Sequence, residues 1–126
     1  MLTNLVVGYY YVDSVTGDKR MAEINIDQMQ VHIAEVTELL KIMAHPERMM
    51  VLCQLIEGEV AVAQLQQASL LSQSALSQHL ALLRKQRLIS ARKRSQQVFY
   101  SLADHRVKQL IASLQRIFCH PNNANS

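Results

Sequence analysis

From Asn25 onward the apolar positions fall into helical spacing. Met29, Ile33, Val36, Leu40 and Met43 step by 4, 3, 4 and 3, the interval of a seam along one helix face. His45-Pro46 interrupts it, because a residue before proline avoids the α region while proline suits a first helical turn. Met49, Leu52, Cys53 and Ile56 form the next stripe and predict a helix over 46–56, with Gly58 as its stop. A short helix near 62–68 carries Val62 and Leu65, and Ala68–Leu71 is a turn. Ser72 then caps a helix on which Leu76, Leu80 and Leu83 share one side. Beyond it the period changes to two. Ile89 and Ala91 alternate with Ser90 and Arg92, and Val98 and Tyr100 with Phe99 and Ser101, which predicts a hairpin whose turn lacks an Asn-Gly signal. Asp104 caps a last helix over about 104–119, lined by Val107, Leu110, Ile111, Leu114, Ile117 and Phe118. Residues 1–21 have no helical period and form a disordered leader or a short strand. Residues 22–120 make one domain, and 121–126 (PNNANS) a polar tail. The expected class is mainly α with a small β-hairpin, in the order α-α-α-α-β-β-α.

The helix after Ser72 has an unusual polar side. With Leu76 at the centre of the buried arc, Ser74, Ser77, Gln78 and Ala81 point the opposite way at 100° per residue. Gln73 precedes them. A solvated face would usually carry Glu and Lys, whereas this one is short-chained and uncharged, and so suits close approach to another surface. Glutamine pairs bidentately with adenine in the major groove, and serine serves several base edges. The cations come at the helix end, as Arg84, Lys85 and Arg87, and in the hairpin, as Arg92, Lys93 and Arg94, with Gln96 at its tip. There they would meet phosphates. Two helices joined by a tight turn, the second laid in the groove, make a helix-turn-helix, and the hairpin makes it winged.

Charge sharpens this reading. No acidic residue occurs between Glu59 and Asp104, and the six cations of that window give +6 against −3 for the rest of a chain of net charge +3. A single-sign field over one part of a small domain favours a polyanionic partner. The 126 residues are a prior for one domain, and their 49% apolar content argues for a globular chain. No apolar run approaches the roughly 18–20 residues of a membrane span. The opening MLTNLVVGYYYVDS lacks the basic start and cleavage site of a signal peptide, so the expected location is cytoplasmic. Cys53 and Cys119 form no C-x-x-C pair, which leaves two ordinary thiols on the residues alone. No phosphate loop, nucleophile elbow or Cys-His-Asx pattern points to an enzyme.

LSQSALSQHLALLRKQRLI followed by ARKRSQQVFYSL resembles the core of ArsR/SmtB-type winged-helix repressors, and MAHPERMMVLCQL resembles their second helix. The likeness runs over roughly residues 25–119. It implies a homodimer that binds an inverted-repeat operator and releases it when an inducer arrives. Many members sense metals through a Cys-x-Cys on the short helix, but Ala61 and Ala63 stand there and have no donor atom. A second familial site uses Asp, His and carboxylate ligands on the terminal helices. Here Asp104 is followed by Arg106, and neither His105 nor His120 restores the spacing, so no metal or other cofactor is expected.

The placement of Cys53 and Cys119 is similar to that in the sulfide- and persulfide-responsive branch of the family. There, one cysteine from each of these helices joins a di- or polysulfide link, which makes reactive sulfur species the implied inducer. On the resemblance, Arg116 or His120 would favour a thiolate at Cys119. The terminal helices carry stripes that one core of this size does not cover. A two-fold dimer through Met29, Ile33, Val36, Leu40, Leu110, Leu114 and Ile117 would bury them and set two reading helices about 34–36 Å apart. A metal- or peroxide-responsive repressor is the nearest alternative. A thiol enzyme and a protein-binding winged helix belong to different classes.

Overall fold

The computed structural model describes residues 6–13 and 15–119. The expected helices form, and all but the short third helix are opened by a side chain that answers an orphan backbone N–H. Helix α1 (Ile26–Met43) is capped by Asn25, whose Oδ1 accepts from the amide of Gln28 at 3.0 Å. Helix α2 (Pro46–Gln54) begins with Pro46 in its first turn and His45 Nδ1 accepting from Glu47 N at 3.2 Å. After α3 (Val62–Gln67), Ser72 Oγ accepts from Ala75 N at the start of α4 (Gln73–Lys85). Asp104 Oδ1 accepts from Arg106 N at the start of α5 (His105–Phe118).

The core is one aliphatic cluster fed by every helix. Leu39 and Met43 come from α1, Val51 and Leu52 from α2, with Leu55 just beyond it, and Leu65 from α3. Leu76, Leu80 and Leu83 of α4 join Val107 and Ile111 of α5 in the same cluster, with Leu88 and Ile89 from the start of the wing. Among the described residues no polar or charged side chain is buried, so the cluster is held by apolar area rather than by internal ion pairs.

Two elements go beyond the expected order. Strand β3 (Val60–Ala61) pairs antiparallel with β5 (Gln97–Leu102), which pairs with β4 (Ile89–Arg94), so the wing is a three-stranded sheet in the order β3-β5-β4. Two residues are too few to display a period of two. The second addition is an N-terminal hairpin of β1 (Val6–Val12) and β2 (Lys19–Asn25), in register from Val6↔Asn25 to Val12↔Lys19. Of the two readings for residues 1–21, the described part takes the strand, and β2 runs across the boundary drawn after residue 21. Helix α2 ends at Gln54, two residues short of the expected 56, because Ile56 N turns to Cys53 O. Gly58 is not its cap. It takes φ 140°, a region costly to other residues, where the chain bends into β3. The tail 121–126 lies outside the described residues, as does His120.

Candidate nucleic-acid interface

Helix α4 sits at its angle because its inner side is fully used. Leu76, Leu80 and Leu83 are each at most 2% exposed, and Gln73, Ser74, Ser77, Gln78 and Ala81 are all exposed on the other side. The turn before it is pinned twice. Gln66 Nε2 donates to Leu71 O at 2.8 Å, and Ser69 Oγ accepts from Leu71 N at 3.0 Å while reaching Glu47 Oε2 at 3.3 Å. These bonds tie the turn to α3 and to the first turn of α2, so α3 and α4 are presented as one unit. His79, half-buried on the flank, meets the His45 ring at 4.4 Å between centroids. Burial lowers its pKa, helped by His45 and Arg48 and opposed by Glu47.

The end of α4 is closed by paired backbone bonds. Arg87 N donates to Arg84 O and Leu88 N to Leu83 O, both at 2.9 Å, with Arg87 at φ 63°. That is the Schellman arrangement, whose left-handed position usually holds glycine. Here it holds an exposed cation beside Arg84 and Lys85. The wing follows at once. Arg94↔Gln97 is its last pair, and Ser95 and Gln96 form a two-residue loop with Ser95 at φ 57°. Lys93, Arg94 and Gln96 are exposed at this tip. Among the described residues Arg84, Lys85, Arg87, Lys93 and Arg94 take part in no ion pair.

Arg92 differs from its neighbours. Its Nε and Nη2 donate to the two carboxylate oxygens of Glu59 at 3.0 and 2.6 Å, and its guanidinium lies 5.4 Å from the centroid of the Phe99 ring. The bonded arginine lowers the pKa of Glu59, and the carboxylate raises that of Arg92. Arg92 was grouped with the phosphate-facing cations on sequence grounds; the fold gives its guanidinium a carboxylate partner instead. No local signal marks that pairing, since Glu59 lies 33 residues away.

The two thiols are unbonded and both exposed. Cys53 leaves α2 and Cys119 ends α5, and both line one cleft of about 570 Å³ with Met49, Ile56, Ile111, Leu114 and Phe118. Burial raises the Cys53 pKa, and the nearby charge of Cys119 adds to it. Arg116 is turned to Ser113 Oγ at 2.9 Å. The terminal helices leave their seam open. Met29, Ile33 and Leu40 are 40–49% exposed, Ile117 is 61% exposed, and Val36, Leu110 and Leu114 are half-buried. Arg106 joins Asp104 to Glu35 of α1 at one end of the groove between α1 and α5. Among the described residues, no three His, Cys, Asp or Glu side chains come together as a metal site, and no helix is long and apolar enough to cross a membrane.

Residues 45–91, from the cap of α2 into β4, match the model of the bacterial regulatory protein arsR family. The chain is 44% identical over 101 residues to the transcriptional activator HlyU of Vibrio cholerae, covering 80% of this chain and 94% of that one. It is 36% identical over 102 residues to the biofilm growth-associated repressor of Xylella fastidiosa, covering 81% and 90% of the two. The crystal structure of the transcriptional repressor BigR from Xylella fastidiosa superposes with a TM-score of 0.72 at 38% identity, over 76% of this chain and 98% of that one. These relatives are named as regulators of transcription, not as enzymes.

Proposed function

Because this chain belongs to the bacterial arsR family of regulatory proteins, in its BigR-like branch, we propose that it is a homodimeric repressor. It works in the cytoplasm, reads an inverted-repeat operator and lets go when its two cysteines are linked by reactive sulfur. One observation carries the DNA reading: an uncharged Gln73/Ser74/Ser77/Gln78 face is held outward by buried leucines and flanked by Arg84, Lys85, Lys93 and Arg94, which have no carboxylate partner among the described residues. Bases are then read by the short polar side chains. Phosphates are held by Arg84, Lys93 and Arg94, with Gln96 reaching from the wing tip. A second copy covers the open seam of α1 and α5, and the two-fold relation sets the spacing of the reading helices.

The thiol reading is supported by the shared cleft between α2 and α5. The Cys119 thiolate attacks the sulfane sulfur of a persulfide RSSH, taking SH and expelling RS⁻. The Cys53 thiolate next attacks the Cys119 sulfur, expelling HS⁻ and leaving a disulfide. If both residues carry persulfides, the Cys119 persulfide anion displaces HS⁻ from Cys53 and leaves a trisulfide. Cys119 goes first because burial disfavours the thiolate of Cys53. Linking α2 to α5 joins the reading half of each protomer to the dimer seam. A coupling of about 1–3 kcal/mol between the two is enough to switch an operator.

The test is an unbiased selection of duplex oligonucleotides, followed by binding to the selected site after treatment with an organic persulfide. A shared inverted motif and release by persulfide are expected, and Cys119→Ser is expected to bind the motif but not to be released. No sequence preference sinks the regulator reading; normal release of Cys119→Ser sinks the dithiol switch alone.

A further inference from the structure

We propose that Glu59 is the internal counter-ion of the wing: it keeps Arg92 off the phosphates and so limits the sequence-independent affinity for DNA. This rests on the DNA reading given above. Glu59 stands immediately before β3 at one edge of the wing sheet, and Arg92 lies on β4 at the other edge. β5 runs between them, with Phe99 paired to Ala61 on one side and to Arg92 on the other. The Arg92 side chain therefore crosses the central strand, over the Phe99 ring, to reach the carboxylate. Both oxygens are engaged, one by Nε and one by Nη2, a fork-to-fork match that fixes the plane of the guanidinium. Among the described residues, Glu59 is the carboxylate that pairs with a cation of the acid-free segment 60–103.

The consequence follows from how DNA is held. Phosphate contacts are independent of sequence, and each one adds to binding everywhere on the duplex. A guanidinium already joined to a carboxylate releases no counter-ion from DNA, and to leave Glu59 it would abandon a negative charge at the interface. The wing therefore offers Lys93 and Arg94 rather than three cations. The Glu59 charge also acts on Arg94, which weakens the field at the tip. Reading by α4 does not pass through this pair. Glu59 thus lowers the sequence-independent part of binding, on selected and random duplex alike, and leaves the base-specific part as it is. The pair is solvent-exposed, and such pairs contribute little to folding, so it can be removed from the intact protein.

The experiment measures binding of the intact 126-residue chain to a random-sequence duplex between about 50 and 200 mM salt, for wild type, Glu59→Gln, Arg92→Gln and the double variant. Glu59→Gln is expected to steepen the slope of log affinity against log salt by about 0.9 for each wing engaged, an extra loss of about 3.5-fold across that range. Arg92→Gln is expected to keep the wild-type slope, and in the Arg92→Gln background Glu59→Gln is expected to steepen it by less than it does in the wild type, through Arg94 alone. The preference of Glu59→Gln for a selected site over random duplex should stay as in the wild type, because an added phosphate contact strengthens both. An unchanged slope in Glu59→Gln, or a flatter one in Arg92→Gln, overturns the proposal while leaving the regulator reading in place. Failure of the wild type to bind any duplex overturns both. Thermal unfolding of each variant provides the structural control, because a change of slope with unchanged melting belongs to the charges alone.

Discussion

Helices α4 and α5 share an inner side and differ in their outer one. Both bury aliphatic residues in the same cluster, Leu76, Leu80 and Leu83 from one, Val107 and Ile111 from the other. Turned outward, α4 shows serine and glutamine with cations at its end. α5 shows Ile117 and Phe118, 61% and 73% exposed, and together with α1 it lines an open groove of about 570 Å³. The core explains why both helices fold and says nothing about what each meets. A polar, uncharged face keeps its hydrogen-bonding groups for a hydrated polar surface. An apolar face at 60–70% exposure gains by leaving water, at about 25 cal/mol for each Å² covered. The same interior thus supports two outer surfaces of unlike character, which the proposed function assigns to DNA and to a second copy.

The contrast can be broken at the inner side first. Leu80→Ala removes a side chain that is 2% exposed, and the loss of stability is expected to be about 2–5 kcal/mol at any protein concentration. Leu40→Ala, at a position 45% exposed, should cost the isolated protomer far less. Its loss should depend on protein concentration, because the proposed dimer would cover the side chain. Urea unfolding at two concentrations a hundredfold apart separates these cases. A concentration-independent loss of equal size at Leu40 would remove the seam from the dimer reading.

On the outer side of α4, Gln78→Ala should weaken binding to the selected duplex by about 1–3 kcal/mol while unfolding and random-duplex binding stay as they were. Equal losses on both duplexes, read by fluorescence anisotropy, would make Gln78 a phosphate contact instead.

The smallest effect lies at the flank. Burial holds His79 below the ordinary imidazole range, with His45 and Arg48 adding to it, so the folded protein takes up this proton less readily than the unfolded chain. The unfolded state then binds more protons as pH falls below about 6.5, and stability should decline through that window, being fully present above it. His79→Gln should flatten the decline in urea midpoints between pH 7.5 and 5.5. An unaltered profile would assign the decline to other groups.

Much of the reading half was legible because it is written locally. The leucines of α4 recur at three- and four-residue steps, Ser72 caps within its own turn, and β4 and β5 alternate over adjacent segments. The start of α1 at Asn25 was legible for the same reason. The N-terminal strand pair was left open between two readings, since VVGYYYV is apolar at nearly every position and shows no period of two. β3 was missed because two residues show no pattern. Arg92 was grouped with Lys93 and Arg94 because adjacency is all a charge run displays.

What the sequence determined by itself is therefore the set of elements and the character of each face, because propensity, capping and periodicity act across a few residues. What only the tertiary structure decided is which distant groups share a space. Glu59 and Arg92 meet across β5, and Cys53 and Cys119 line one cleft from positions 66 residues apart. A charge or a thiol carries no mark of its partner along the chain, and the partner is chosen only when packing of the leucine core brings their backbones together.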